Sequence, residues 1–96
     1  MSLESTAIVP TEHASRYLQQ LCKHWSHKFE CSFDDSTGRI GFPSGDIDLA
    51  VVPGGLSVTV RSQIADGLAT AKQVVADHFD RFAFREAPLS FPWVDA

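Results

Sequence analysis

Two amphipathic segments bracket four short runs in which apolar and polar residues alternate. The first segment, Thr11 to Lys28, spaces Ala14, Leu18, Leu21, Cys22 and Trp25 by one helical turn or its multiples, with Phe29 at its exit. That spacing lays one apolar stripe along a helix. Thr11 offers a side-chain oxygen to the free N–H groups at the start, and Glu12 suits the positive end of the helix dipole. The second segment, from about Ser62 to Phe82, repeats the pattern with Ile64, Leu68, Ala71, Val75, Phe79 and Phe82. Ser62 supplies its cap, or Asp66 if the helix starts later. Gly67 inside it costs about 1 kcal/mol relative to Ala.

The four runs between the helices read as strands. Phe29, Cys31 and Phe33 form the first apolar set, Ile40 and Phe42 the second, Ile47, Leu49 and Val51 the third, and Leu56, Val58 and Val60 the fourth. Turn-forming residues separate them at 34–38, 43–45 and 53–55. Strict alternation predicts a sheet with one dry and one wet face, as in antiparallel meanders. Upstream, Thr6-Ala7-Ile8-Val9 is a further β-prone run ended by Pro10. Downstream, Leu89, Phe91 and Trp93 alternate, and Pro88 and Pro92 confine that tail to an edge strand or an extended arm.

The order is therefore β-α-β-β-β-β-α plus a tail. It predicts an α+β fold: a single antiparallel sheet with two helices packed on one face, the plan of TATA-binding-protein-like and helix-grip folds. Residues 1–96 make one domain, with 1–5 and 87–96 expected at its periphery.

Charge and composition narrow the function. Twelve acids against eight Lys and Arg give a net charge of −4, which disfavours a nucleic acid partner. The wet face points the same way. Its small residues Ser32, Gly41, Ala50, Ser57 and Thr59 are ringed by Glu30, Arg39, Asp46, Asp48 and Arg61. This surface is mixed in sign and slightly acidic, unlike the basic, wedge-bearing surface that opens a minor groove. No apolar run approaches the roughly 20 residues of a membrane span, and Met1-Ser2-Leu3-Glu4-Ser5 has no signal-peptide pattern. A cytoplasmic location follows, with no membrane partner. Cys22 and Cys31 lie in apolar registers and read as reduced core thiols.

Candidate chemistry centres on histidine. His13, Tyr17, Gln20, His24 and His27 advance by four, three, four and three residues, so they form one line on the first helix. Arg16 and Lys23 flank it. The line reads as a ligand-facing row, as a metal site, or as a solvated helix face whose aromatic edges cover the sheet. His24 and His27 lie one turn apart and could share a metal, but a stable site needs further ligands and His13 is too far along the helix. His78 sits beside Val75 and Phe79 on the second helix, with Asp77, Asp80 and Arg81 around it. It reads as one half of an acid–base pair, or as a partly buried histidine with a backbone or water partner. Asp77 is its chain neighbour and points elsewhere, and no Ser or Cys nucleophile pairs with it. Asp34-Asp35, Asp46 and Asp48 lack calcium-loop spacing and read as solvated. Gly54-Gly55 lacks the spacing and the Lys of a phosphate loop.

Two strings carry a family resemblance. His13 to Phe29 (HASRYLQQLCKHWSHKF) resembles the opening motif of the bacterial domain-of-unknown-function family 2218, and Val75 to Glu86 (VADHFDRFAFRE) resembles its closing motif. The turn Gly38-Arg39-Ile40-Gly41-Phe42 fits between them. The family has no established activity. Its relatives resemble stand-alone small proteins or modules joined to siderophore-interacting flavin reductases, so the resemblance implies an association with iron or siderophore handling.

Together these readings favour a non-enzymatic binding or accessory domain linked to iron or siderophore metabolism. Its ligand row is His13, Tyr17, Gln20, His24, His27 and His78, and no cofactor is expected. Two alternatives stay open. One is a small metal-binding protein or hydrolase using His24, His27 and His78. The other is an interaction module that forms a homodimer through its tail or a sheet edge.

Overall fold

The computed structural model describes residues 3–42, 45–82 and 91–95, with backbone alone at Asp80 and Phe82. Its elements are β1 (Leu3–Pro10), α1 (Ala14–Trp25), β2 (Glu30–Phe33), β3 (Thr37–Phe42), β4 (Gly45–Val52), β5 (Gly55–Ser62), α2 (Ala65–Phe82) and β6 (Val94–Asp95). The strands form one antiparallel six-stranded sheet in the order β2-β3-β4-β5-β1-β6. Both helices pack on its dry face, as the alternation predicts. The core is one cluster in which Ile40, Ile47, Leu49, Val58 and Val60 of the sheet meet Leu18, Leu21 and Trp25 of α1 and Val75 and Phe79 of α2.

Local chemistry explains the turns. Pro53 and Gly54 link the pair Val52↔Gly55, and Gly54 has φ +78°. Proline followed by a residue at positive φ is the pattern of a type II turn, a conformation glycine adopts without strain. Between β2 and β3, Asp34 Oδ1 accepts from the Ser36 N–H at 2.8 Å and the Thr37 N–H at 2.7 Å. These backbone donors hold the Asp34 carboxyl below its usual range, since they favour the charged form.

Several boundaries differ from the sequence reading. Helix α1 is shorter than Thr11–Lys28, because turn hydrogen bonds take over at both ends. Thr11 Oγ1 accepts from the His13 N–H at 3.1 Å, ahead of the first helical residue. The N–H groups of Lys28 and Phe29 both donate to the Trp25 carbonyl, closing the C-terminus. Helix α2 begins at Ala65, with Ser62 Oγ accepting from Ile64 N–H outside it. Ile64 is 58% exposed and leaves the apolar stripe, while Leu68, Ala71, Val75 and Phe79 remain in it. The Phe82 side chain lies outside the described residues. Phe33 and Val51 are exposed, Phe33 on the edge strand β2 and Val51 beside the β4–β5 turn.

Residues 3–5 are not peripheral. Leu3 pairs with Ser62 and Glu4 with Arg61, so β1 is eight residues long and lies between two strands. Leu89 lies outside the described residues, but Phe91 stacks on Phe79 with ring centres 6.0 Å apart and on Trp93 at 5.7 Å. Beyond them β6 pairs with Ser5 and Thr6, and Lys72 Nζ donates to Asp95 at 2.8 Å. The tail is thus held to its own domain by ring packing and one ion pair. Among the described residues no helix is long and apolar enough to cross a membrane.

The two cysteines are free, Cys22 buried and Cys31 half-buried. Burial, with a smaller push from nearby Cys31, raises the Cys22 thiol to about 11, and burial also raises Cys31. A thiolate is therefore more costly in the folded chain than in the unfolded one. The stabilisation this represents is full below the thiol's ordinary pKa of 9.0 and is lost as pH rises through about 11. We expect slow labelling of both thiols by an alkylating reagent at pH 7.5, and a fall in denaturant midpoint between pH 9 and 11 that Cys22→Ala reduces. Rapid labelling of Cys22 in the native protein would contradict its place under the sheet.

Candidate ligand-binding cleft

On the wet face, charges described as solvated from sequence are partnered across strands. Arg39 Nη2 lies 3.0 Å from Asp46 Oδ2, and Arg61 Nη1 lies 3.0 Å from Asp46 Oδ1. Arg61 also bonds Asp48 and pairs with Glu4 at 3.7 Å. These contacts, Asp48 foremost, push the Arg61 guanidinium further toward its charged form. The register makes the network, since Asp46 stands opposite Arg61 on β5 and opposite Gly41 on β3, two pairs along from Arg39↔Asp48 and so on the same face. An open depression of about 540 Å³ lies over β3 and β4, but its charged members Asp34, Arg39 and Asp48 are already engaged.

A second concavity has a different character. A cleft of about 550 Å³ opens where the C-terminal end of α1 meets α2 and the sheet. Trp25, Phe29, Phe42 and Ile47 form one wall, and Ala71 and Val74 of α2 form the other. Its rim carries His24, His27, Lys28, Thr70 and His78. The aromatic wall is set edge to face: Trp25 and Phe29 have ring centres 6.1 Å apart at 88°, and Phe29 and Phe42 6.4 Å apart at 64°. Such contacts set aromatic rings in preferred orientations and leave ring surface for a guest.

The helix crossing decides which histidines meet. His78 lies with its ring centre 4.9 Å from Trp25 and 5.2 Å from His24. Its Nδ1–H donates to the Val74 carbonyl at 2.7 Å, because a carbonyl can only accept. The second ring nitrogen, Nε2, is therefore the one left for other partners. Asp77 does not join it. Its carboxylate accepts from Gln73 Nε2 at 2.8 Å, one turn back along the helix.

Of the six residues named from sequence, His24, His27 and His78 share this cleft. His13 and Gln20 are exposed elsewhere on α1, His13 roughly 16 Å from His24 at the usual helical rise. Tyr17 turns inward and is 5% exposed, with His13 against its ring edge at 5.9 Å. The stripe therefore splits: a helix face that also covers a sheet must bury part of its width. Lys28, Phe42 and Val74 were missed as site residues. Lys28 carried a weak signal as the cation ending the histidine row; Phe42 and Val74 reach the cleft only through tertiary packing. Among the described residues no three His, Cys, Asp or Glu side chains come together to hold a metal ion.

Comparison with curated proteins finds no match. Among solved structures, the NMR structure of PA4090 from Pseudomonas aeruginosa is similar, with 38% identity and a TM-score of 0.81 over 96% of this chain and 95% of that one. A family model for uncharacterized proteins conserved in bacteria, DUF2218, matches residues 6–94. That match takes in β2 to β5 and most of β1, both helices and every residue of the cleft, and the chain belongs to this family.

Proposed function

We propose that this chain is a non-enzymatic binding domain that takes a small organic molecule into the cleft between α1 and α2. The observation that carries the reading is the cleft itself: about 550 Å³, walled by aromatic and aliphatic side chains, with a few polar groups confined to its rim. That is the usual make-up of a small-molecule site, in which apolar walls supply affinity and sparse polar groups supply orientation. A hydrolytic reading has less behind it. The Asp77 carboxylate is engaged by Gln73, and the Cys22 thiol is buried with a raised pKa. The resemblance to modules joined to siderophore-interacting flavin reductases favours a cytoplasmic role beside iron or siderophore metabolism.

The test needs a probe that ignores charge. Nile red, a neutral dye that brightens in apolar surroundings, should bind saturably to the wild-type protein. Val74→Trp fills the cleft from a partly exposed position, so the fold should survive while dye binding drops at least about tenfold. Equal dye binding by both proteins, or none by either, would remove the cleft as a ligand site.

A further inference from the structure

We propose that the cleft selects an aromatic carboxylate: a flat apolar body seated against Trp25, Phe29 and Phe42, with one carboxylate held at the rim by Lys28 and His78. This rests on the reading of the cleft as a ligand site and adds the chemical class of the ligand.

The first argument is a local inversion of charge. The chain carries a net charge of −4, with twelve acids against eight Lys and Arg. Yet the cleft's lining includes Lys28 and three histidines and not one Asp or Glu among the described residues. An anion entering it meets hydrogen-bond donors without acidic competitors. The C-terminal end of a helix ordinarily repels an anion through its free carbonyls. Here three of the last four are taken: Trp25 O accepts from the N–H groups of Lys28 and Phe29, Lys23 O from the Ser26 hydroxyl, and Cys22 O from Ser26 N–H.

The second argument concerns the rings. The chain of edge-to-face contacts from His78 through Trp25 and Phe29 to Phe42 has centre spacings of 4.9, 6.1 and 6.4 Å. A flat guest meets ring faces and edges at the separations that aromatic pairs prefer. An alkyl chain would gain only area.

The third is the fixed orientation of His78. With Nδ1–H committed to the Val74 carbonyl, Nε2 donates to a carboxylate once the ring is protonated. Among the described residues, the charged and titratable groups around that ring are His24, His27 and Lys28 across the cleft, and Asp77 and Arg81 along its own helix. Asp77 is occupied by Gln73, and the sheet contributes only Phe42 and Ile47. A bound carboxylate therefore favours the imidazolium, and binding takes up a proton.

Calorimetric titration with 2-naphthoate, its neutral amide and decanoate tests the assignment, with Nile red binding measured on the same samples. Naphthoate should bind at least about tenfold tighter than the amide at pH 6 and low salt, and this advantage should shrink at pH 8. Lys28→Met, at an exposed position, should remove most of the advantage while leaving the circular dichroism spectrum unchanged. Equal affinities for naphthoate and amide would overturn the acid assignment while Nile red binding leaves the cleft standing. Decanoate binding tighter than naphthoate would overturn the aromatic body. Failure of every probe, Nile red included, would remove both readings.

Discussion

Trp25→Ala is expected to cost about 3–5 kcal/mol of folding stability, the range for truncating a large aromatic residue in a core. Trp25 is 7% exposed and sits where α1, the α1–β2 turn and α2 converge. Its ring contacts Phe29 on one side and His78 on the other. The same substitution joins the new void to the existing cleft, so dye binding should change along with stability. Urea unfolding followed by circular dichroism gives the first quantity. A loss below about 1 kcal/mol would mean that α1 does not pack through this residue.

Gly45→Ala is expected to cost at least about 3 kcal/mol, at the upper end for overpacking, although it adds one methyl group. Gly45 opens β4 and pairs with Ser62. A Cβ there would overlap the carbonyl oxygen of Arg61, with the Arg61 carbonyl carbon at 2.8 Å. Backbone cannot rotate away as a side-chain tip can, so β4 and β5 must separate locally. The separation would also shift Asp46 from Arg61, loosening the ion-pair network beside it. Gly41→Ala is the matched control. Its nearest such contact is the Glu30 carbonyl oxygen at 3.9 Å, and its cost should stay within about 0.5 kcal/mol. Equal denaturant midpoints for the two variants would show that the close approach at Gly45 is not real.

The two proposed readings depend on the cleft, not on the fold. Antiparallel sheets with helices on one face serve many unrelated functions. What carries them is the coincidence, among the described residues, of a rim without acids and an aromatic wall. Both readings therefore stand or fall on binding measurements.

The elements themselves were legible in the amino-acid pattern. The apolar stripe Ala14, Leu18, Leu21, Cys22 and Trp25 and the alternation through Ile47, Leu49, Val58 and Val60 record local geometry, and local geometry is what periodicity reports. Helix ends were less legible, because Thr11 and Ser62 spend their hydroxyls on turns just before the helices. The histidines could be placed on helices from sequence, but their meeting could not. His24 and His78 are 54 positions apart in the chain and come within 5.2 Å only because α1 and α2 cross on one sheet face. The place of β1 between β5 and β6, the pairing of Asp46 with Arg39 and Arg61, and the arrival of Phe42 and Val74 at the cleft are likewise products of long-range packing. Side-chain period specifies which face a residue takes along its own element. Which elements then face each other is decided by the burial of all the apolar faces together, and that requirement is met only in the assembled fold.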